Sequence, residues 1–148
     1  MTEYEEKLLK NIEEHGCQVT HVFDNETDTR FSYSIGIFEC TGEPELIVTG
    51  LKRELALWII NEYNRRITEG EHFDIDTLYS GFLDGFKVMF KDFDPELYAD
   101  YLGSCLWLYE GKDFDAYQLI WPSTKGLWPW DKDASEEYLD AMPKLYLD

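Results

Sequence analysis

Phe31-Ser32-Tyr33-Ser34-Ile35-Gly36-Ile37, followed past a turn by Glu45-Leu46-Ile47-Val48-Thr49-Gly50, is the stretch that decides the fold class. In the first run Phe31, Tyr33, Ile35 and Ile37 alternate with Ser32, Ser34 and Gly36. That is the two-residue period of a strand with one apolar face and one small, polar face. The spacing predicts a strand over residues 30–38. A face of small residues can lie close to another backbone or to a ligand. Thr41-Gly42-Glu43-Pro44 reads as a turn, and 45–50 as a short, largely apolar strand. A connection this short favours antiparallel pairing over a crossover.

Working outward, residues 2–14 read as a helix. Thr2 and Glu5 have capping-box spacing, Tyr4, Leu8, Leu9 and Ile12 form its apolar face, and Gly16 ends it. Residues 17–24 read as a strand with Val19, His21 and Phe23 on one side, and 24–29 as a polar loop. Leu55, Trp58, Ile59, Tyr63 and Ile67 give helical spacing over 52–68, with Arg65-Arg66 as a solvated basic cluster near the end. The pattern weakens over 71–85, with extended pieces around Phe73 and Leu78. Residues 86–93 read as a strand with Phe86, Val88 and Phe90 inside and Lys87 and Lys91 outside. Asp94-Pro95-Glu96 starts a helix carried by Leu97, Tyr101, Cys105 and Leu108 to about residue 110. A strand over 114–121, a stiff loop over 122–130 and a short helix over 133–142 complete the chain. Strands and helices do not alternate strictly. The order therefore predicts one α+β domain over 1–148, with a mainly antiparallel sheet and about three flanking helices. A split-barrel-like sheet is one form of this expectation.

Thirty-one acidic residues against thirteen basic ones give a formal net charge of −18 in 148 residues. Such a field repels nucleic acid and anionic membranes and attracts cationic partners. It also serves plain solubility. Aromatic residues make up 16% of the chain, enough to supply both a core and a binding surface. Cys17, Cys40 and Cys105 have no metal-ligand spacing and read as reduced thiols of a cytoplasmic protein. The acidic start does not read as a signal peptide, and no apolar run approaches the ~20 residues needed to cross a bilayer.

Three further motifs stand in order: Pro44-Glu45-Leu46-Ile47-Val48-Thr49-Gly50-Leu51, Gln118-Leu119-Ile120-Trp121-Pro122, and Gly126-Leu127-Trp128-Pro129-Trp130-Asp131. With the Phe31 run they resemble the signature of a bacterial domain-of-unknown-function family, number 4262, over about residues 16–131. On that resemblance the helix at 2–15 and the stretch 132–148 lie outside the family-like core. The resemblance implies a small cytoplasmic bacterial domain without an established activity. Ser123 stands where the family more often has an acid, so a role for that acid does not carry over. The opening motifs are also similar in layout to flavin-reductase-like split barrels, but the basic and hydroxyl-rich phosphate-gripping residues of a flavin site are not recognisable. No cofactor is expected.

His15, His21 and His72 form no His-x-His or HExxH pair. Cys17 and His21 would stand roughly 13 Å apart along a strand, too far to share an ion, so no metal is expected. Cys17 and Cys40 lack the surroundings of a catalytic thiol, Ser32 and Ser34 lie on a strand rather than at a nucleophile elbow, and no phosphate-cradling glycine loop exists. The candidate site is therefore a binding site: Ser32, Ser34, Gln118, Trp121, Trp128, Trp130 and Asp131. The indoles either plug an open end of the sheet, wall a cleft for a small ligand, or form rigid anchors of a protein interface. The first functional expectation is a non-catalytic binding protein, in the form of an immunity-type antagonist that sequesters a basic effector protein. The alternative is a small-molecule-binding or enzymatic domain using a Trp-walled cleft.

Overall fold

The computed structural model describes residues 1–23 and 29–148, and Thr29 by its backbone alone. The loop expected over 24–29 falls almost wholly outside the described residues. Six strands form one open, mixed sheet in the order β1-β2-β3-β6-β5-β4: β1 Gln18–Phe23, β2 Thr29–Ile35, β3 Glu45–Thr49, β4 Tyr79–Leu83, β5 Phe86–Asp92 and β6 Ala116–Ile120. Every neighbouring pair is antiparallel except the central one, β3 with β6. The α+β class and mainly antiparallel sheet are as expected. The sheet keeps two edges, β1 and β4, rather than closing into a split barrel.

Among the described residues the helices are α1 Glu3–His15, α2 Ile37–Thr41, α3 Arg53–Thr68, α4 Tyr98–Tyr101, α5 Gly103–Tyr109 and α6 Glu136–Ala141, with a 3-10 turn at Pro95–Leu97. The capping box of α1 is formed: the Glu5 amide donates to Thr2 Oγ1 at 3.1 Å and the Thr2 amide to Glu5 Oε1 at 2.9 Å. The helix expected from Asp94 is broken, because Leu102 leaves helical geometry (φ −116°, ψ 45°) with its side chain buried beneath the sheet.

The strand expected over 30–38 stops at Ile35. Gly36 turns to φ 109°, which side-chain-bearing residues rarely adopt, and α2 begins immediately. Strands β2 and β3 are therefore joined by a five-residue helix as well as a turn. The strand expected from 114 begins at Ala116.

Two apolar layers sandwich the sheet. On one face Leu46, Val48, Val88, Phe90 and Leu119 meet Ala56, Ile59, Ile60, Tyr63 and Ile67 of α3. On the other, Phe31, Tyr33, Ile35 and Ile47 meet Leu8 and Ile12 of α1, and Tyr98, Leu102 and Cys105 of the α4–α5 region. Residues beyond 132 are part of the same body: Leu145 lies in that second layer, and Tyr138 and Met142 pack on Ile120. The large side chains buried in the two layers contribute roughly 1.5–3 kcal/mol each, which is why both faces of the sheet order together.

Candidate functional site

The helical stripe of α3 decides where the surface opens. Its buried residues are Ala56, Ile59, Ile60, Tyr63 and Ile67. Leu55 and Trp58, expected on that stripe, sit just off it and face outward, with Trp58 51% exposed. Opposite them the β4–β5 hairpin turns through Asp84 and Gly85, with Gly85 at φ 77°. Between helix and hairpin lies a cavity of about 610 Å³, lined by Leu55, Trp58, Leu83, Asp84, Phe86 and Lys87. Phe86, expected inside, is partly exposed on its wall. Arg66 braces the hairpin from below. It lies over Phe73 and Phe82 at 5.0 and 4.7 Å, pairs with Glu71 at 2.8 Å and donates to the Ser80 carbonyl at 3.0 Å. Arg66 is thus a structural clamp, unlike the solvated arginine expected; Arg65, paired with Glu62 and Glu69, keeps the surface role.

The seven residues singled out from sequence do not meet in one place. Ser32 pairs with Val48 across β2 and β3, so it faces α3, whereas Gln118 pairs with Ile47 and faces the opposite layer. Both serines are fully buried and engaged. Ser32 Oγ lies 2.6 Å from His21 Nδ1 on the neighbouring strand. Ser34 Oγ donates to Glu45 Oε1 at 2.7 Å and accepts from the Leu46 amide at 2.9 Å. Gln118 holds the segment after α6, donating to the Pro143 carbonyl at 2.9 Å and accepting from the Leu145 amide at 3.2 Å.

The indoles divide. Trp121 Nε1 donates to the Thr49 carbonyl at 2.8 Å, and Tyr138 donates to the Trp121 carbonyl at 2.7 Å, so this ring closes the end of β3. Trp128 is half-buried, and its amide donates to Asp131 Oδ2 at 2.7 Å. Trp130 stacks on Trp128, 5.8 Å between centroids and 5° between planes, with its outer face in solvent. The Lys91 ammonium lies 5.1 Å from the Trp130 centroid and pairs with Asp76 at 2.5 Å. Lys91, expected outside, is therefore largely covered.

Sequence reasoning passed over Glu45, which is fully buried at the start of β3. Its carboxylate accepts from Ser34 Oγ, from the amides of Gly36, Ile37 and Phe38 at 2.8, 3.1 and 3.3 Å, and from the Tyr109 hydroxyl. The three amides open α2, so the carboxylate neutralises a helix start. Burial pushes the Glu45 carboxyl upward, and the Tyr109, Ser34 and amide donors oppose that push. Each hydroxyl gives its one hydrogen to Glu45 and accepts a main-chain amide in turn, Tyr109 from Glu39 at 3.0 Å and Ser34 from Leu46 at 2.9 Å. The sequence signal is an acid directly before the apolar run Leu46-Ile47-Val48.

The remaining titratable groups are dispersed. Burial lowers the His21 pKa, while the hydrogen bond to Glu43 raises that of exposed His72. Burial raises the Cys17 thiol to about 12 and lifts Cys105 well above its ordinary value, which keeps both protonated and unreactive. All three cysteines are free. Among the described residues no group of three or more His, Cys, Asp or Glu is placed to hold a metal ion, and no helix is long and apolar enough to cross a membrane.

Fold and surface together define an acidic α+β domain whose singled-out polar side chains are bonded internally and whose open aromatic groove lies beside a sheet edge. The chain belongs to the family described as domain of unknown function DUF4262, whose model matches residues 11–135. It matches no curated protein and no solved structure.

Proposed function

We propose that this protein acts by binding, as an antagonist that sequesters a basic effector protein, with the α3–hairpin groove as the anchor point. The observation that carries this reading is the groove itself: about 610 Å³ walled by Leu55, Trp58 and Phe86, large apolar groups that folding leaves at the surface. An aromatic anchor in a concave apolar site is the usual centre of a protein interface. A net charge of −18 supplies the long-range attraction for a cationic partner, and it opposes self-association of the chain. The internal bonding of Ser32, Ser34, Gln118 and Glu45 supports binding over catalysis, because these side chains are committed to holding the fold.

The test is capture from the source cells with immobilised wild-type protein and with Trp58→Ala/Phe86→Ala, each at ~50 and ~500 mM salt. The reading expects a basic protein retained by the wild type at low salt, weakened at high salt and lost from the double variant. Recovery of no basic partner, or equal recovery by both proteins, would overturn it.

A further inference from the structure

Residues 143–147 are not held as a helix or loop usually is. Gln118 spends its side-chain amide on the Pro143 carbonyl and the Leu145 amide, two main-chain groups two residues apart. The Asp94 amide donates to the Leu145 carbonyl at 2.8 Å, the Leu147 amide donates to the Asp92 carbonyl at 2.9 Å, and Phe93 and Tyr146 form an antiparallel bridge. Main-chain pairing plus alternating side-chain pockets is how a sheet receives an extended peptide. Of the five residues only Leu145 is buried, set among Phe31, Phe93 and Leu102. Tyr146 meets Trp130 edge-on at 6.3 Å, and Leu147 is largely exposed.

The family match covers the groove but not its occupant. Phe93, Gln118 and Trp130 fall inside the stretch matched by the family model, while residues 136–148 fall outside it. Gln118 is fully buried, so with the occupant gone its amide would be a polar group facing an apolar trough, ready for another backbone. Lys144 of the occupant pairs with Asp148 of the same segment at 2.6 Å, so its charge is met within the segment rather than by the trough.

We propose that this trough is a peptide-binding site, filled here by the chain's own residues 143–147, and that an extended segment of a partner protein, with an aliphatic residue in the place of Leu145 and an aromatic one after it, can take that place. One short strap with a single buried anchor belongs to the parts of a fold that open locally, without global unfolding. The site is separate from the Trp58 groove, and its test needs no partner.

A fluorescein-labelled peptide copying residues 142–148 is titrated into the full chain and into Leu145→Ala, which loosens the strap. The expected result is saturable binding to Leu145→Ala at least ten-fold tighter than to the wild type, and a further ten-fold loss on adding Gln118→Leu. Hydrogen exchange on the wild type reads the same opening without any variant. The Leu145 and Leu147 amides are expected to exchange at least ten-fold faster than those of Ile47 and Leu119. A folded Leu145→Ala that ignores the peptide, or strap amides exchanging only with the core, would overturn the proposal. If Leu145→Ala does not fold, the exchange rates decide alone.

Discussion

Replacing Glu45 by Gln keeps the shape of the side chain and removes the property its surroundings require. Oε1 accepts from Ser34 and Ile37, and Oε2 from Gly36, Phe38 and Tyr109. Whichever oxygen becomes NH2, at least two donors then face a donor. A buried donor left without its acceptor costs about 1–3 kcal/mol, so two cost about 2–6 kcal/mol. That is a large part of the ~5–15 kcal/mol that holds a domain of this kind together. At ~2–4 °C per kcal/mol for this size, the middle of the ~2–6 kcal/mol range lowers the melting point by about 8–16 °C. Urea unfolding followed by tryptophan fluorescence measures the loss directly. Tyr109→Phe alone is expected to cost about 1–2 kcal/mol, and the double variant less than the sum, because the two groups share one hydrogen bond. A Glu45→Gln protein within about 0.5 kcal/mol of wild type, or strict additivity with Tyr109→Phe, would refute the reasoning that a carboxylate pins the start of α2.

Three further outcomes follow from particular contacts. Gly36→Ala is expected to cost about 2 kcal/mol by urea titration, since φ 109° is strained for alanine and the added Cβ would stand 2.8 Å from Ile12 Cγ1. Proton NMR titration is expected to place the His72 midpoint above its ordinary value of 6.5 and that of His21 below it, with Glu43→Gln lowering His72. The stability supplied by His72 is then present below 6.5 and fades as pH rises through its folded midpoint, whereas that tied to neutral His21 is present above 6.5 and fades as pH falls through its own; coincident midpoints would contradict both assignments. Trp58→Ala is expected to change unfolding stability by no more than about 1 kcal/mol, because half of the ring is already in water, and a much larger loss would make Trp58 a core residue.

Much of the architecture was legible because its signals are local. The β2 alternation, the Thr2–Glu5 capping box and the Asp94-Pro95 start depend on neighbours in sequence, and all three appear in the structure. What could not be read depends on partners far along the chain. Leu55 and Trp58 match a helical repeat as well as Ala56 and Ile60 do, and only the position of the β4–β5 hairpin determines which pair is covered. The parallel pairing of β3 with β6 joins strands separated by nearly 70 residues, a choice no short motif records. The β2 pattern runs on to Ile37, yet Gly36 breaks it because Glu45, nine residues later, collects the amides. For the candidate site, the residue types were suited to binding, but strand alternation places Ser32 and Gln118 on opposite faces once β2, β3 and β6 are in register. Their polar groups then serve internal bonds, and the exposed aromatic rings include Trp58 and Phe86 at the groove and Trp130 elsewhere.

The central claim is that the acidic surface captures a cationic protein and the Trp58 groove holds it. Stopped-flow association of the captured partner, measured across ionic strength for wild type and for Trp58→Ala/Phe86→Ala, tests it most directly. The account predicts that association slows steeply as salt rises for both proteins, while dissociation is at least ten-fold faster for the double variant alone. Association indifferent to salt, together with an unchanged dissociation rate in the variant, would contradict it.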